Sequence, residues 1–222
     1  MLNKPIFQLF ILLGVAVSLV RLQTALQERL RFNNTQFVYD LKGSKPYTNG
    51  KGGKGYKASV AEIPALSGYR VSYQLFEIEP CAINLPHVHP RASEMLYVVE
   101  GRFQSGFLEE NEGRLVLNNI KEGQTTFFPQ GLIHFEQNLE CKKSVFLSSF
   151  NNEDPGVVTI TNRLFQLPMQ TLTSSFNNSE LVINKLKNSL VNDPAIGVGE
   201  CRKRCGLGNF WFNFMFFNFG FY

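Results

Sequence analysis

Histidine is rare in this chain: His87, His89 and His134 are the only three among 222 residues. Charged side chains are also sparse, at 18% of the sequence, whereas hydrophobic residues make up 44% and aromatic residues 13%. These proportions exclude a chain that is disordered throughout, because they supply enough apolar surface for a core. The formal net charge of +4 comes from scattered basic residues, and so weak a field predicts no nucleic-acid partner.

The amino-terminal segment lacks an apolar run long enough to span a bilayer. Residues 9–17 form an apolar run shorter than the roughly 20 residues that a membrane-spanning helix needs, and Arg21 follows it. Lys4 precedes this run, and Ala16-Val17-Ser18 is a small-x-small cleavage site, as is typical of a secretory signal peptide. We therefore predict that residues 1–18 are a signal peptide and that the protein is secreted, without stable membrane insertion. An uncleaved membrane anchor is the alternative.

Cysteine is scarce too, and its even number matters in an oxidising compartment. Four cysteines permit three full pairings. Cys81 lies six residues before His87 and Cys141 lies seven residues after His134, so these flanks should meet if both histidine segments line one site. We therefore expect one disulfide between Cys81 and Cys141 and a second between Cys201 and Cys205. Separate buried thiols are the alternative.

The middle of the chain has a sequence pattern typical of a β protein. From about residue 37 to residue 165, short runs rich in Val, Ile, Phe and Tyr alternate with clusters of Gly, Pro and Asn. The pattern predicts an all-β sandwich or barrel. Predicted strands include residues 69–78, 94–99, 102–108 and 144–150.

Two helical patterns flank this β region. Residues 22–32 have an amphipathic pattern that predicts a helix or a leader to the first strand. Apolar residues within 179–190 recur at helical spacing, which predicts a helical extension over residues 166–200. The tail over residues 201–222 contains two cysteines and many phenylalanines, and we expect it to be poorly ordered. Strand-like self-association of the tail is the alternative.

Residues 43–55 are rich in Gly and Lys, which favours an anion cradle at first sight. The segment lacks the ending of a phosphate-binding loop and has no strand-to-helix context, so we predict a mobile basic surface loop. Such a loop could contact acidic cell-wall polymers. Two sequons, at Asn33 and Asn177, would be glycan acceptors in a secreted chain.

The histidines form the strongest signal for chemistry. His87 and His89 are two residues apart, so an extended strand directs both imidazoles to one face. Glu94 joins them only if the turn after Pro90 resets the strand, and we expect the strand that begins at Glu94 to run back beside the first. His134 follows a Pro-x-Gly turn, where a new strand would begin.

The combined pattern, His87-x-His89-x4-Glu94-x6-Gly101 followed by residues 123–138, resembles the two consecutive motifs of the cupin superfamily. The likeness covers about residues 36–160, and the flanking sequences resemble germins and germin-like proteins. The Gly-Lys segment and the positions of Cys81 and Cys141 are more similar to spherulins. Cys81 also replaces a glycine of the first motif, and the paired amino-terminal cysteines of plant germins are absent.

The resemblance implies a jelly-roll β-barrel over residues 33–165 that holds one divalent metal and forms homo-oligomers. It implies that the metal ligands are His87, His89, Glu94 and His134, and that the ion is manganese, as is usual in germins. Three imidazoles and one carboxylate also suit iron, nickel or zinc, and a six-coordinate ion keeps about two positions for water or substrate.

Two functions follow from the resemblance. The first is an oxidoreductase that acts on a small anion or an oxygen species, either superoxide or oxalate. Asn84 matches an asparagine that helps to hold oxalate in the oxidases, but the second asparagine of those enzymes is Gln74 here, which weakens the oxalate reading. The alternative is a structural or storage protein of a spore, cyst or cell wall that turns over nothing. With all three histidines assigned to the metal, neither a Ser-His-Asp triad nor a Cys-His pair remains.

Overall fold

A computed structural model describes residues 26–197 and 199–208, and these form two antiparallel sheets followed by short helices. The predicted signal peptide over residues 1–18 lies outside the described residues, as does the predicted tail over residues 201–222 from residue 209 onward. The eleven described strands are β1 (Thr48–Gly50), β2 (Gly53–Ala58), β3 (Ser72–Ile78), β4 (Ile83–Val88), β5 (Glu94–Glu100), β6 (Arg102–Leu108), β7 (Leu115–Lys121), β8 (Thr125–Phe128), β9 (His134–Asn138), β10 (Ser144–Phe150) and β11 (Val158–Thr159).

The larger sheet has the strand order β1-β2-β3-β10-β5-β8, and the smaller sheet has the order β11-β4-β9-β6-β7. All of these neighbours pair in the antiparallel direction, and the two sheets enclose one core, as in a jelly roll. The predicted all-β, jelly-roll class with a carboxy-terminal helical extension is confirmed. The predicted strands over 94–99, 102–108 and 144–150 are confirmed, whereas the strand predicted from residue 69 begins at Ser72.

The core fills the space between the inner faces of the two sheets. Strands such as β3 and β5 alternate between buried and more exposed residues, because successive side chains point to opposite faces. Phe76 stacks on Phe146 with ring centroids 4.9 Å apart, and Phe103 meets Phe146 edge-on at 5.2 Å. Burial of each such side chain stabilises the fold by about 1.5–3 kcal/mol. Aromatic side chains therefore make up much of the packed core.

The predicted surface loop over residues 43–55 is wrong in its second half. Residues 48–58 form the hairpin β1–β2, and β2 continues the larger sheet by pairing with β3. Gly53 and Gly55 are buried, and a Cβ atom at Gly53 would lie 2.1 Å from the carbonyl oxygen of Glu77. The glycines therefore serve close packing in a sheet and do not indicate mobility.

The expected pairing of the strand that begins at Glu94 with the preceding strand is also wrong. β4 belongs to the smaller sheet and β5 to the larger one, so the turn after Pro90 carries the chain from one sheet to the other. The hydrogen-bond partners of β5 are β10 and β8. Glu94 therefore approaches the histidines from the larger sheet, whereas their own strands belong to the smaller one.

In the part of the chain that the structure describes, four helices follow the barrel: α1 (Ile160–Leu164), α2 (Met169–Phe176), α3 (Glu180–Asn188) and α4 (Glu200–Arg204). The helix predicted over residues 179–190 is confirmed as α3, which begins after Ser179. Phe165, Leu172 and Ile183 form a small second core beneath α2 and α3. Of the helix or leader predicted over residues 22–32, residues 26–29 are helical. None of the helices in the described ranges has the length and apolar character that crossing a bilayer requires.

Residues 192–197, here called the strap, return from the helices to the barrel. Ala195 forms an antiparallel bridge with Ile83 of β4, and Gly52 N–H donates to the Pro194 carbonyl at 2.8 Å. A Cβ atom on Gly197 would lie 1.8 Å from the carbonyl oxygen of Cys81, so only glycine fits there.

The expected disulfide pairing is wrong, although all four cysteines are indeed oxidised. The bonds join Cys81 to Cys201 and Cys141 to Cys205. Both expected flanks do meet, since Cys81 Sγ lies 3.6 Å from Cys205 Sγ. Cys201 in helix α4 bonds to one flank and Cys205, the residue after the helix, bonds to the other, which the spacing within the barrel alone could not indicate.

Candidate metal centre

Four side chains converge inside the barrel. His87 lies on β4, His89 just beyond its end, His134 at the start of β9, and Glu94 at the start of β5. All four are buried, and one potential ligand atom from each lies within 4.8 Å of every other. The two sheets thus contribute together, with the imidazoles from the smaller sheet and the carboxylate from the larger one. The cluster unites all four residues that the sequence pattern indicated.

Each imidazole is fixed by a hydrogen bond from Nδ1 to a backbone carbonyl. The acceptors are Leu85 for His87 at 2.8 Å, Gly156 for His89 at 2.5 Å and Leu132 for His134 at 2.8 Å. A proton on Nδ1 leaves the lone pair on Nε2, which is the usual arrangement of metal-bound histidine. The rings are therefore oriented with Nε2 toward the centre of the cluster.

The carbonyl that accepts the His89 hydrogen bond belongs to Gly156, in a backbone conformation that favours glycine. Gly156 has a φ of +67°, a conformation that strains other residues, and its Cβ position would lie 2.9 Å from Arg91 Nη2. The same arginine forms an ion pair with Asp154 at 2.7 Å, which ties the segment before Gly156 to the turn after β4.

The two carboxylate oxygens of Glu94 have separate partners. Ser148 Oγ on β10 donates to Oε1 at 2.5 Å, whereas Oε2 lies 3.1 Å from His134 Nε2 and 3.2 Å from His89 Nε2. Either protons on the Nε2 atoms or a cation between the donors satisfies such a spacing. An ion about 2.2 Å from two adjacent octahedral donors would place those donors about 3.1 Å apart. These two spacings therefore fit a divalent ion bound among the four side chains.

The charge of Glu94 and burial determine the pKa values within the cluster. Burial lowers the pKa of His134, but the hydrogen bond and the charge of Glu94 outweigh burial and raise that pKa to about 9. Burial raises the pKa of Glu94, but hydrogen bonds from His134 and His89 outweigh it and hold that pKa well below its usual range. The pKa of His87 lies well below its usual range because of burial and the two neighbouring imidazoles. The ionised Glu94 carboxylate thus attracts positive charge, either the proton of His134 or a bound cation.

Aromatic rings line the cluster on two sides. Phe128 stacks on His134 with centroids 4.4 Å apart, and Phe150 meets His89 edge-on at 4.6 Å. These rings restrict the orientation of the imidazoles and exclude water from their faces.

A buried acid that the sequence reasoning missed lies next to the cluster. Glu136 follows His134 by two residues on β9, so both side chains point into the barrel. Its Oε2 accepts a hydrogen bond from Asn84 Nδ2 at 2.8 Å, and its Oε1 finds no partner among the described residues. Burial and the charge of Glu94 raise the pKa of Glu136 to about 8. Strand alternation from His134 was the signal that could have found it.

The two residues considered for oxalate both have internal partners. Asn84 is buried beside Glu136, and Gln74 Oε1 accepts a hydrogen bond from the Tyr47 hydroxyl at 2.7 Å. Two surface pockets, of about 80 and 390 Å³, adjoin the barrel. Tyr47 and Val157 line both pockets, whereas none of the four clustered residues lines either of them.

A double-sheet jelly roll with three histidines and one glutamate inside the barrel defines the class of cupin-type metal proteins. The family model described as Cupin matches residues 39–184. The chain therefore belongs to the cupin family, and the resemblance inferred from the two sequence motifs is confirmed.

The relatives are spherulins and germin-like proteins. Spherulin-1B of Physarum polycephalum is 43% identical over 183 residues, which cover 81% of this chain and 74% of the relative. Germin-like protein subfamily 2 member 2 of Arabidopsis thaliana is 36% identical over 137 residues, which cover 60% of this chain and 62% of the relative. A solved structure of an oxalate oxidase superposes with a TM-score of 0.64 at 28% identity, and the match covers 69% of this chain and 80% of that chain.

Proposed function

We propose that this cupin is a secreted oxidoreductase that binds one manganese ion through His87, His89, Glu94 and His134 and acts on superoxide. The observation that carries the proposal is the convergence of three Nε2 atoms and one carboxylate oxygen, with each Nδ1 tied to a carbonyl. Three neutral imidazoles and one carboxylate leave a divalent ion with a net charge near +1, which favours an anionic substrate. Manganese is the choice because of the similarity to germins, although iron, nickel and zinc tolerate the same donors.

The protein's own residues hold and shield the site. The three carbonyl acceptors fix the imidazoles, and Ser148 orients Glu94 so that Oε2 faces them. A redox-active ion held there would supply one-electron chemistry. Dismutation converts two superoxide ions and two protons into one dioxygen and one hydrogen peroxide, so no further co-substrate is needed.

Oxalate is a weaker candidate substrate than superoxide. The similarity to oxalate oxidase supports it, and Asn84 is in the position that contacts oxalate in those enzymes. However, the Asn84 amide already donates to Glu136, and Gln74 accepts from Tyr47, so neither side chain is free of an internal partner.

The alternative is a structural or storage protein of a spore, cyst or cell wall. The greater identity to Spherulin-1B than to the germin-like protein supports this alternative. In that case the barrel and any bound metal would serve stability alone. Activity assays on the metal-loaded protein separate the two functions.

Secretion and self-association complete the proposal. The disulfides suit an oxidising compartment, and both sequon asparagines, Asn33 and Asn177, are exposed. A secreted protein that retains residues 1–18 would contradict the signal peptide. The outer face of the larger sheet exposes Tyr73 on β3, and Met95 and Phe127 on the adjacent strands β5 and β8, which supports a homo-oligomer. Light scattering that finds single chains would contradict this assembly.

Cell-wall polymers remain a proposed partner through the basic residues of 42–57.

The decisive assay compares two glutamate variants. Glu94→Gln should abolish metal binding and superoxide dismutation, because it removes the anionic donor. Glu140→Gln is the matched control, since Glu140 pairs with Arg102 at the surface and should keep both properties. Metal-loaded wild-type protein that leaves superoxide unconsumed would contradict the enzymatic proposal, and oxalate consumption by the same protein would redirect it.

A further inference from the structure

Strand β4 contains a β-bulge directly before the first histidine of the cluster. The register between β4 and β9 shifts between Asn84 and His87. Leu85 and Pro86 therefore lie opposite the single residue Phe135. Pro86 suits this position because it has no N–H to lose from the ladder.

The bulge decides which side chains enter the barrel. In an uninterrupted strand, Asn84 and Pro86 would share a face and His87 would point away from it. The extra residue shifts the alternation of side chains between the two faces of the strand by one position. Asn84, His87 and His89 are therefore all buried. The orientation of the His87 side chain toward the cluster thus depends on the geometry of the bulge.

The backbone N–H and carbonyl of Leu85 have no partner on a neighbouring strand in the described part of the chain. Two side chains form hydrogen bonds with them instead. The Leu85 carbonyl accepts the Nδ1 hydrogen bond of His87 at 2.8 Å. Its N–H donates to Asp193 Oδ1 at 2.6 Å. On the same edge of β4, Ala195 pairs with Ile83 on one side of Leu85 and β11 pairs with His87 on the other. Asp193 fills the gap between these two backbone partners.

The strap that carries Asp193 is itself firmly attached to the barrel. Thr48 Oγ1 donates to the Asp193 carbonyl at 2.5 Å, and the Ala195–Ile83 bridge has two hydrogen bonds of 2.8 and 2.9 Å. A few residues later, the Cys81–Cys201 disulfide joins the same part of the chain to the segment before β4. The carboxylate is therefore held where the bulge needs an acceptor.

We propose that Asp193 is a positioning residue for the metal centre: its side chain completes the bulge of β4 and thereby holds the Leu85 carbonyl that orients His87. The consequence for metal binding rests on the proposed function, whereas the orientation of His87 does not. Asp193 does not touch the clustered side chains, and it acts on them only through Leu85.

The first test observes His87 in the metal-free protein. NMR spectroscopy should detect a slowly exchanging Nδ1–H on His87 in the wild type and in Asp193→Asn, which keeps the acceptor oxygen. Asp193→Ala should lose that signal, whereas Asp40→Ala should keep it. Asp40 is the matched control, because its Oδ1 accepts the backbone N–H of Gly43 in an exposed turn. An unchanged His87 signal in Asp193→Ala, or its loss in both Asp193 variants, would overturn the proposal.

The second test measures how fast a chelator removes manganese from the loaded proteins. Loss of a group that orients a metal ligand typically weakens metal binding about tenfold to a hundredfold. Asp193→Ala should therefore release the ion at least about tenfold faster than the wild type, while Asp193→Asn and Asp40→Ala release it at nearly the wild-type rate. A wild type that binds no metal would contradict the proposed function, and the NMR result would still decide the role of Asp193.

Hydrogen exchange of the wild type decides the question if Asp193→Ala does not fold. The Leu85 N–H should be protected as strongly as that of Ile83, which has a backbone partner in the strap. Fast exchange of Leu85 beside a protected Ile83 would overturn the proposal.

Discussion

Ser148 Oγ donates to Glu94 Oε1 at 2.5 Å, across the pair of strands that carry the two residues. The bond leaves Oε2 as the carboxylate oxygen that faces the imidazoles of His89 and His134. The larger sheet therefore contributes an oriented carboxylate oxygen rather than only a negative charge.

Ser148→Ala should weaken metal binding about tenfold, because Glu94 loses the group that orients it. The variant should also lose about 1–3 kcal/mol of unfolding free energy, since Oε1 would stay buried without a partner. Titration calorimetry and urea denaturation measure the two effects. Ser149→Ala is the control, because that neighbour is exposed on the other face of β10. Equal metal affinity in both variants would contradict the orienting role.

The disulfide pairing predicts a definite peptide map. Proteolysis of the unreduced protein should yield peptides that link Cys81 to Cys201 and Cys141 to Cys205. Replacing Cys81 and Cys201 together by serine should lower the unfolding free energy by about 2–5 kcal/mol, because the bond constrains the unfolded chain. A Cys81–Cys141 peptide would show that the described arrangement is wrong.

The pH dependence of stability should report on Asp193. Burial raises its pKa from 3.8 to about 6, although the bond from the Leu85 N–H opposes this rise. The folded state thus takes up a proton more readily than the unfolded state, so stability should fall as the pH rises from about 4 to about 6. The neighbouring groups Tyr47 and Glu136 interact with the same charge.

Asp193→Asn removes this titration and keeps the acceptor oxygen. The stability of the variant relative to the wild type should therefore increase between pH 4 and pH 7, by at most about 3 kcal/mol for a shift of this size. Urea denaturation of the metal-free proteins at the two pH values measures the change. A difference that does not vary with pH would contradict the raised pKa.

Metal removal should lower thermal stability. An ion that binds only the folded state adds about 2.7 kcal/mol when its free concentration is a hundredfold above Kd. Calorimetry should show a higher Tm for the manganese-loaded wild type than for the chelator-treated protein. Glu94→Gln should show no such gain, and an equal gain in that variant would place the ion elsewhere.

Much of the fold and the core of the site could be predicted from short-range patterns. Strand periodicity indicated the β class, and the motif around His87, His89 and Glu94 with the later His134 indicated the cluster. Glu136 could have been found by the same alternation, since it follows His134 by two residues.

The remaining features depend on contacts that are distant in the sequence. Asp193 reaches Leu85 only because the helices return the chain to β4. The disulfides join Cys81 and Cys141 to the carboxy-terminal cysteines because the segment around helix α4 also returns to the barrel. Placement of Glu94 in the opposite sheet likewise depends on a turn that crosses the barrel. Local spacing contains no information about such long-range returns of the chain.

Elemental analysis of the secreted, untagged protein, combined with electron paramagnetic resonance before and after exposure to superoxide, tests the central claim most directly. We expect about one manganese per chain, bound by the three imidazoles and one carboxylate, and a signal that changes as the ion changes oxidation state. Zinc at the site, or a metal content far below one per chain, would contradict the manganese oxidoreductase and favour the structural alternative.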